Sequence, residues 1–101
     1  FPCCVSVNHG LGYFNPISAE EDISLKAGDL VKIELGAHVD GFPALVGTSL
    51  VIGGSMGNAV TGVAANLLNA GHVLSETAVR VLRTGKSTAE VAATMKRATE
   101  E

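Results

Sequence analysis

The sequence predicts an α+β fold, and three observations predict it. Apolar and polar residues alternate on both sides of Asp40-Gly41, which reads as a β-hairpin. A long amphipathic run over residues 62–83 reads as a helix. Ser87-Thr88-Ala89-Glu90 is a capping-box pattern that opens a second helix. With a strand at residues 4–8, the order becomes strand, hairpin, helix, helix, with both helices expected to cover the sheet.

Each element has a local reason. After the first strand, Gly10, Gly12 and Asn15-Pro16 mark a loop and a turn, and Ser18 with Glu20, Glu21 and Asp22 forms an acidic surface stretch without an apolar stripe. Ala27-Gly28-Asp29 predicts a tight turn into strands at 30–38 and 43–52. With Asp40 and Gly41 as the two loop residues, Val39 faces Phe42, Gly36 faces Leu45 and Glu34 faces Gly47. Gly53-Gly54-Ser55-Met56-Gly57-Asn58 lacks the Gly-Lys-Ser/Thr of a phosphate loop, so a mobile turn or a linker introduced from outside the gene is expected. In the long helix Val63, Leu67, Ala70, Leu74, Ala78 and Val81 share a face, widened by Ala64, Leu68, Gly71, Val79 and Leu82. Gly85 is the expected stop, and Val91, Ala92, Met95 and Ala98 are the inward positions of the second helix.

Composition narrows the function. At 101 residues there is room for one domain at most, and 47% hydrophobic against 17% charged residues describes a folded piece. Seven Lys and Arg against ten Asp and Glu leave a net charge of −3, which supplies no overall drive toward nucleic acid. Arg80, Arg83, Lys86, Lys96 and Arg97 gather in the C-terminal third as weak candidates for phosphate contact, although Glu76 beside Arg80 and Arg83 reads first as solvated ion pairing. Cys3 and Cys4 are adjacent and poorly placed for a disulfide with each other; reduced, intracellular thiols are expected, with no membrane span.

On the hairpin, Lys32, Glu34, His38, Pro43, Leu45, Gly47 and Ser49 fall on one face, with Glu34 and Leu45 as diagonal neighbours. Lys32 is the expected ion-pair partner of Glu34, since an unpaired buried carboxylate is costly. His38 is expected to hydrogen-bond at the sheet rim, His9 to be solvated in its loop, and His72 to be packed or paired with Glu76.

At these residues the chain resembles the methionine aminopeptidase superfamily, the pita-bread fold. Phe1-Pro2-Cys3-Cys4-Val5-Ser6-Val7-Asn8 is similar to its "FPxxxSxN" strand. In that family a catalytic His precedes an aromatic-x-Pro segment, and two Asp residues on the hairpin bridge a two-metal centre. Tyr13, Glu34 and Leu45 stand at those three positions here, so the resemblance implies lost catalysis with no metal or other cofactor. Leu45 is then expected to fill the core where a metal once sat.

The run Gly28-Asp29-Leu30-Val31-Lys32-Ile33 followed by Leu35-Gly36-Ala37-His38-Val39-Asp40-Gly41-Phe42 resembles the proliferation-associated and curved-DNA-binding branch most. The likeness covers most of residues 1–85 and is weaker beyond. It implies a partial pita-bread domain over 1–101, with a strand and loop at 1–28, the hairpin at 29–52 and helices at 60–101. Since the family fold needs more than twice this length, the chain is expected to hold its first half; a complete chain of this size is expected to be marginally stable or to dimerise through the sheet edge.

The same likeness implies a non-catalytic protein that binds curved DNA or structured RNA, the ribosome or protein partners. Such a protein would work in growth or translation control, in nucleus and cytoplasm. Two alternatives stay open: a residual metal-dependent methionine aminopeptidase with ligands outside this chain, and a protein–protein interaction module docking at the hairpin edge.

Overall fold

The computed structural model describes residues 3–100, which form two compact units dividing after Val60. In the first unit, β1 (Cys4–Val7), β2 (Leu30–Val39) and β3 (Phe42–Val51) form an antiparallel sheet in the order β1-β2-β3. The hairpin register is the expected one: Val39 pairs with Phe42, Gly36 with Leu45 and Glu34 with Gly47. Asp40 at φ 50° and Gly41 at φ 81° are both left-handed, as the two-residue turn requires. The strands extend one residue closer to the turn than expected, because the Asp-Gly pair suffices to reverse the chain.

β1 ends at Val7, one residue short of the expected strand. Asn8 sits at φ 48° and leaves the extended region, which stops the ladder. On this side Cys4 pairs with Glu34 and Ser6 with Lys32, so all four share a face, since directly opposed residues point the same way. Among the described residues Cys4, Ser6 and Val31 are the buried ones, so the core of this unit sits where β1 meets β2.

The Gly-Ser segment forms a hydrogen-bonded turn. Ser55 and Asn58 exchange both backbone hydrogen bonds at 2.9 and 3.1 Å, and the Asn58 side chain donates to the Gly53 carbonyl at 3.0 Å. Only Met56 at its tip is fully exposed to solvent within this turn's apolar residues.

The second unit contains α1 (Gly62–Val81) and α2 (Thr88–Glu100), which pack on each other. Along α1, Ala64, Leu68, Leu74, Ala78 and Val81 are half-buried, while Val63, Leu67, Ala70, Val79 and Leu82 are exposed. α2 is shorter, roughly 20 Å against 30 Å, and cannot cover the whole apolar stripe of α1. Its own half-buried residues include Val91, Met95 and Ala98, as expected, but Ala92 is exposed.

α1 ends before Gly85. Leu82 turns extended at φ −71° and ψ 111° while its N–H still bonds to the Ala78 carbonyl. Gly85, at φ 87°, serves the next turn instead, where the Lys86 N–H bonds to the Arg83 carbonyl at 3.1 Å. α2 then opens on a reciprocal cap. The Ser87 hydroxyl accepts the Glu90 N–H at 3.3 Å, and the Glu90 carboxylate accepts the Ser87 N–H at 3.0 Å.

Candidate functional site

The site is built on β2. Glu34 lies between Cys4 of β1 and Gly47 of β3, half-buried, with Leu45 diagonal to it on the same face. Its carboxylate Oε2 accepts the Tyr13 backbone N–H at 3.0 Å, from a residue 21 positions earlier in the chain. Two of the three residues singled out from the sequence are thus in direct contact.

The expected Glu34–Lys32 ion pair does not form. The Lys32 Nζ donates to the Asn8 carbonyl at 2.6 Å, where the chain leaves β1, and the ion pairs among the described residues lie on or beside the helices. A backbone donor from the loop meets the need of Glu34 that Lys32 was expected to meet.

Leu45 is 65% exposed, so it does not fill a core. The reason lies in its neighbours: Gly36 stands directly opposite, Gly47 follows on the same face, and neither has a side chain to cover it. Tyr13 is 76% exposed, with its backbone at φ 62°. For a tyrosine that conformation costs roughly 1–2 kcal/mol, so the local hydrogen bonds must offset it.

Polar residues of the "FPxxxSxN" strand turn out to organise the site. The Ser6 hydroxyl is completely buried and accepts the Phe14 N–H at 3.3 Å, while the Phe14 carbonyl accepts the Val5 N–H at 2.9 Å. Asn8 accepts the Leu30 N–H at 3.0 Å through its side-chain oxygen and donates to Asp29 at 3.0 Å through its amide. The other Asp29 oxygen accepts the Lys26 N–H at 2.9 Å. The Asn8 amide first, then the Lys26 N–H, hold the Asp29 carboxyl below the usual aspartate range. Sequence reasoning gave Ser6, Asn8 and Asp29 no role; isolated polar residues in an apolar strand and at its exit were the available signal.

The histidines do not join the site. His38 is exposed opposite Pro43, which has no N–H, and makes no side-chain hydrogen bond among the described residues. His9 is exposed in its turn, as expected. His72 is exposed, and Glu76 pairs instead with Arg80 at 3.7 Å.

A two-metal centre does not fit the residues present. Leu45 offers no donor atom, one Glu34 oxygen is engaged by Tyr13, and no three His, Cys, Asp or Glu side chains group to hold a metal among the described residues. Of the five basic candidates, the structure brings Arg80, Arg83 and Lys86 to one shallow hollow of about 190 Å³, floored by Val81 and Val91 and shared with Glu90. Lys96 and Arg97 are not part of it. Lys86 pairs with Glu90 at 3.5 Å and Lys96 with Glu100 at 3.9 Å, while Arg97 donates to the Thr94 hydroxyl at 3.4 Å. Among the described residues, Arg83 bonds only the neighbouring Leu82 carbonyl, at 3.2 Å.

The sheet, the hairpin and the motif residues define an aminopeptidase-like protein, and the chain belongs to metallopeptidase family M24, whose profile matches residues 1–101. The matched range includes the last helix. The chain is 42% identical over 91 residues to Proliferation-associated protein A of Dictyostelium discoideum, covering 90% of this chain and 23% of that protein. It is 38% identical over 93 residues to the Curved DNA-binding protein of Schizosaccharomyces pombe, covering 90% and 24% respectively. It is also 31% identical over 91 residues to a methionine aminopeptidase of Archaeoglobus fulgidus, covering 90% and 28%. The chain thus spans about a quarter of the length of these relatives. No described helix is long and apolar enough to cross a membrane.

Proposed function

We propose that this protein is a non-catalytic, aminopeptidase-like binding protein that recognises curved DNA or structured RNA and/or the ribosome, in growth or translation control in nucleus and cytoplasm. The observation that carries the loss of catalysis is the pair on the hairpin face. Leu45 offers nothing to a metal, and the Glu34 carboxylate beside it is committed to the Tyr13 N–H. The names of the proliferation-associated and curved-DNA-binding relatives support the binding role and its link to growth.

The phosphate-contacting candidates are Arg80, Arg83 and Lys86 around their hollow, with Lys96 and Arg97 secondary because they lie outside it. Fluorescence anisotropy with curved duplex DNA and structured RNA, in chelator and across a salt series, tests this reading. Binding that weakens steeply with salt supports it. Absence of binding at low salt overturns the nucleic-acid role and leaves a protein or ribosomal partner.

A residual methionine aminopeptidase is the second reading, favoured by the aminopeptidase relatives and by glutamate being a competent oxygen ligand. It requires tight Mn²⁺ or Co²⁺ binding that Glu34→Ala abolishes, measured by calorimetry. The first reading expects no such site.

A further inference from the structure

We infer that Glu34 is a latch: its carboxylate fixes the loop over residues 10–14, a positioning role in place of metal coordination. The loop is held by β1 at both ends. The Gly10 N–H bonds to the Val7 carbonyl at 2.9 Å, and Phe14 bonds to Ser6 and Val5. Between those ends Leu11 is 93% exposed and Tyr13 76% exposed, so burial does not hold the middle of the loop. What holds it is the 3.0 Å bond from the Tyr13 N–H to Glu34 Oε2. That bond fixes Tyr13 at φ 62°, a conformation a tyrosine does not keep without support.

Two features of the sequence fit this role and not a metal ligand. Gly12 leaves room for the carboxylate, since a Cβ there would lie 3.0 Å from the same oxygen. Glutamate is one methylene longer than the aspartate of the family pattern, and that length carries the carboxylate from the strand out to the loop. The latch does not depend on which partner the protein binds.

Hydrogen exchange of the Tyr13 amide, followed by NMR on the full chain, tests the latch. Glu34→Ala and Glu34→Asp are expected to speed exchange about tenfold or more, the loss of one charge-assisted hydrogen bond. Glu34→Gln retains an acceptor of the same length and is expected to stay within about threefold of the unaltered chain. The Ile33 and Leu35 amides are expected to stay protected in all three variants. Glu34→Asp keeps a carboxylate on the strand without the reach, and carries the test should Glu34→Ala loosen the whole sheet. Equal exchange in the unaltered chain and Glu34→Ala overturns the latch. So does a Glu34→Gln chain that releases Tyr13 as fully as Glu34→Ala, or a Glu34→Asp chain that leaves it protected.

Discussion

Asn8 shows how much one residue can organise. It stops β1 at φ 48°, accepts the Leu30 N–H, and tethers Asp29 at the entry to β2. Asn8→Ala removes both side-chain bonds and places an alanine in a left-handed conformation. The expected loss is about 1–3 kcal/mol by urea denaturation. Asp29 and Glu90 give the molecule a pH dependence of definite sign. Hydrogen bonds lower both carboxyls, from Asn8 first for Asp29 and from the Ser87 N–H first for Glu90. The stability they contribute is therefore fully present above the ordinary carboxylate values and is lost as pH falls through the lowered ones. Thermal midpoints measured from pH 6 down to pH 2 should fall, and the fall should be shallower in Asp29→Asn.

At the scale of elements, local signals were read well where they were local. The Asp40-Gly41 turn set the hairpin register, and the box from Ser87 to Glu90 opened α2 as its spacing requires. Ser87→Ala removes one arm of that box, and the expected cost is about 1 kcal/mol, seen as fraying of α2 by circular dichroism and amide exchange. The helix stop was misplaced because Gly85 has the left-handed geometry of a cap yet belongs to the turn after α1. The apolar stripe of α1 was also wider than its partner. Period alone cannot say how much of a stripe the next helix will cover, and Val63 and Leu67 stayed exposed.

For the whole molecule, charge is distributed unevenly. The net charge is −3, yet five of the seven basic residues lie in the unit after Val60. Any phosphate contact from this chain is expected there, and Arg83 is the cation to remove because among the described residues its side chain bonds only a backbone carbonyl. If the protein binds nucleic acid through this surface, Arg83→Glu should lower the slope of log affinity against log salt by about one. It should weaken DNA of every sequence alike. An unchanged slope moves the contact to other parts of the protein. Among the described residues β3 is an uncharged edge strand of ten residues with Phe42 and Val46 exposed on it. Val46→Lys is expected to reduce self-association of the 101-residue chain, measured by light scattering at rising concentration.

What the sequence by itself determined is whatever a short stretch of chain can encode. A two-residue turn and a period of two placed Glu34 and Leu45 on one face, and the motif residues carried the family. What only the tertiary structure decided is who touches whom across long separations. Glu34 meets the Tyr13 N–H and not Lys32, two residues away, because the Gly10–Phe14 loop brings a backbone donor within 3.0 Å while Lys32 reaches the Asn8 carbonyl. Leu45 stayed exposed because its neighbours across and along the strands are glycines. Alternation names the face a side chain takes; only the folded path of distant chain settles what, if anything, meets it there.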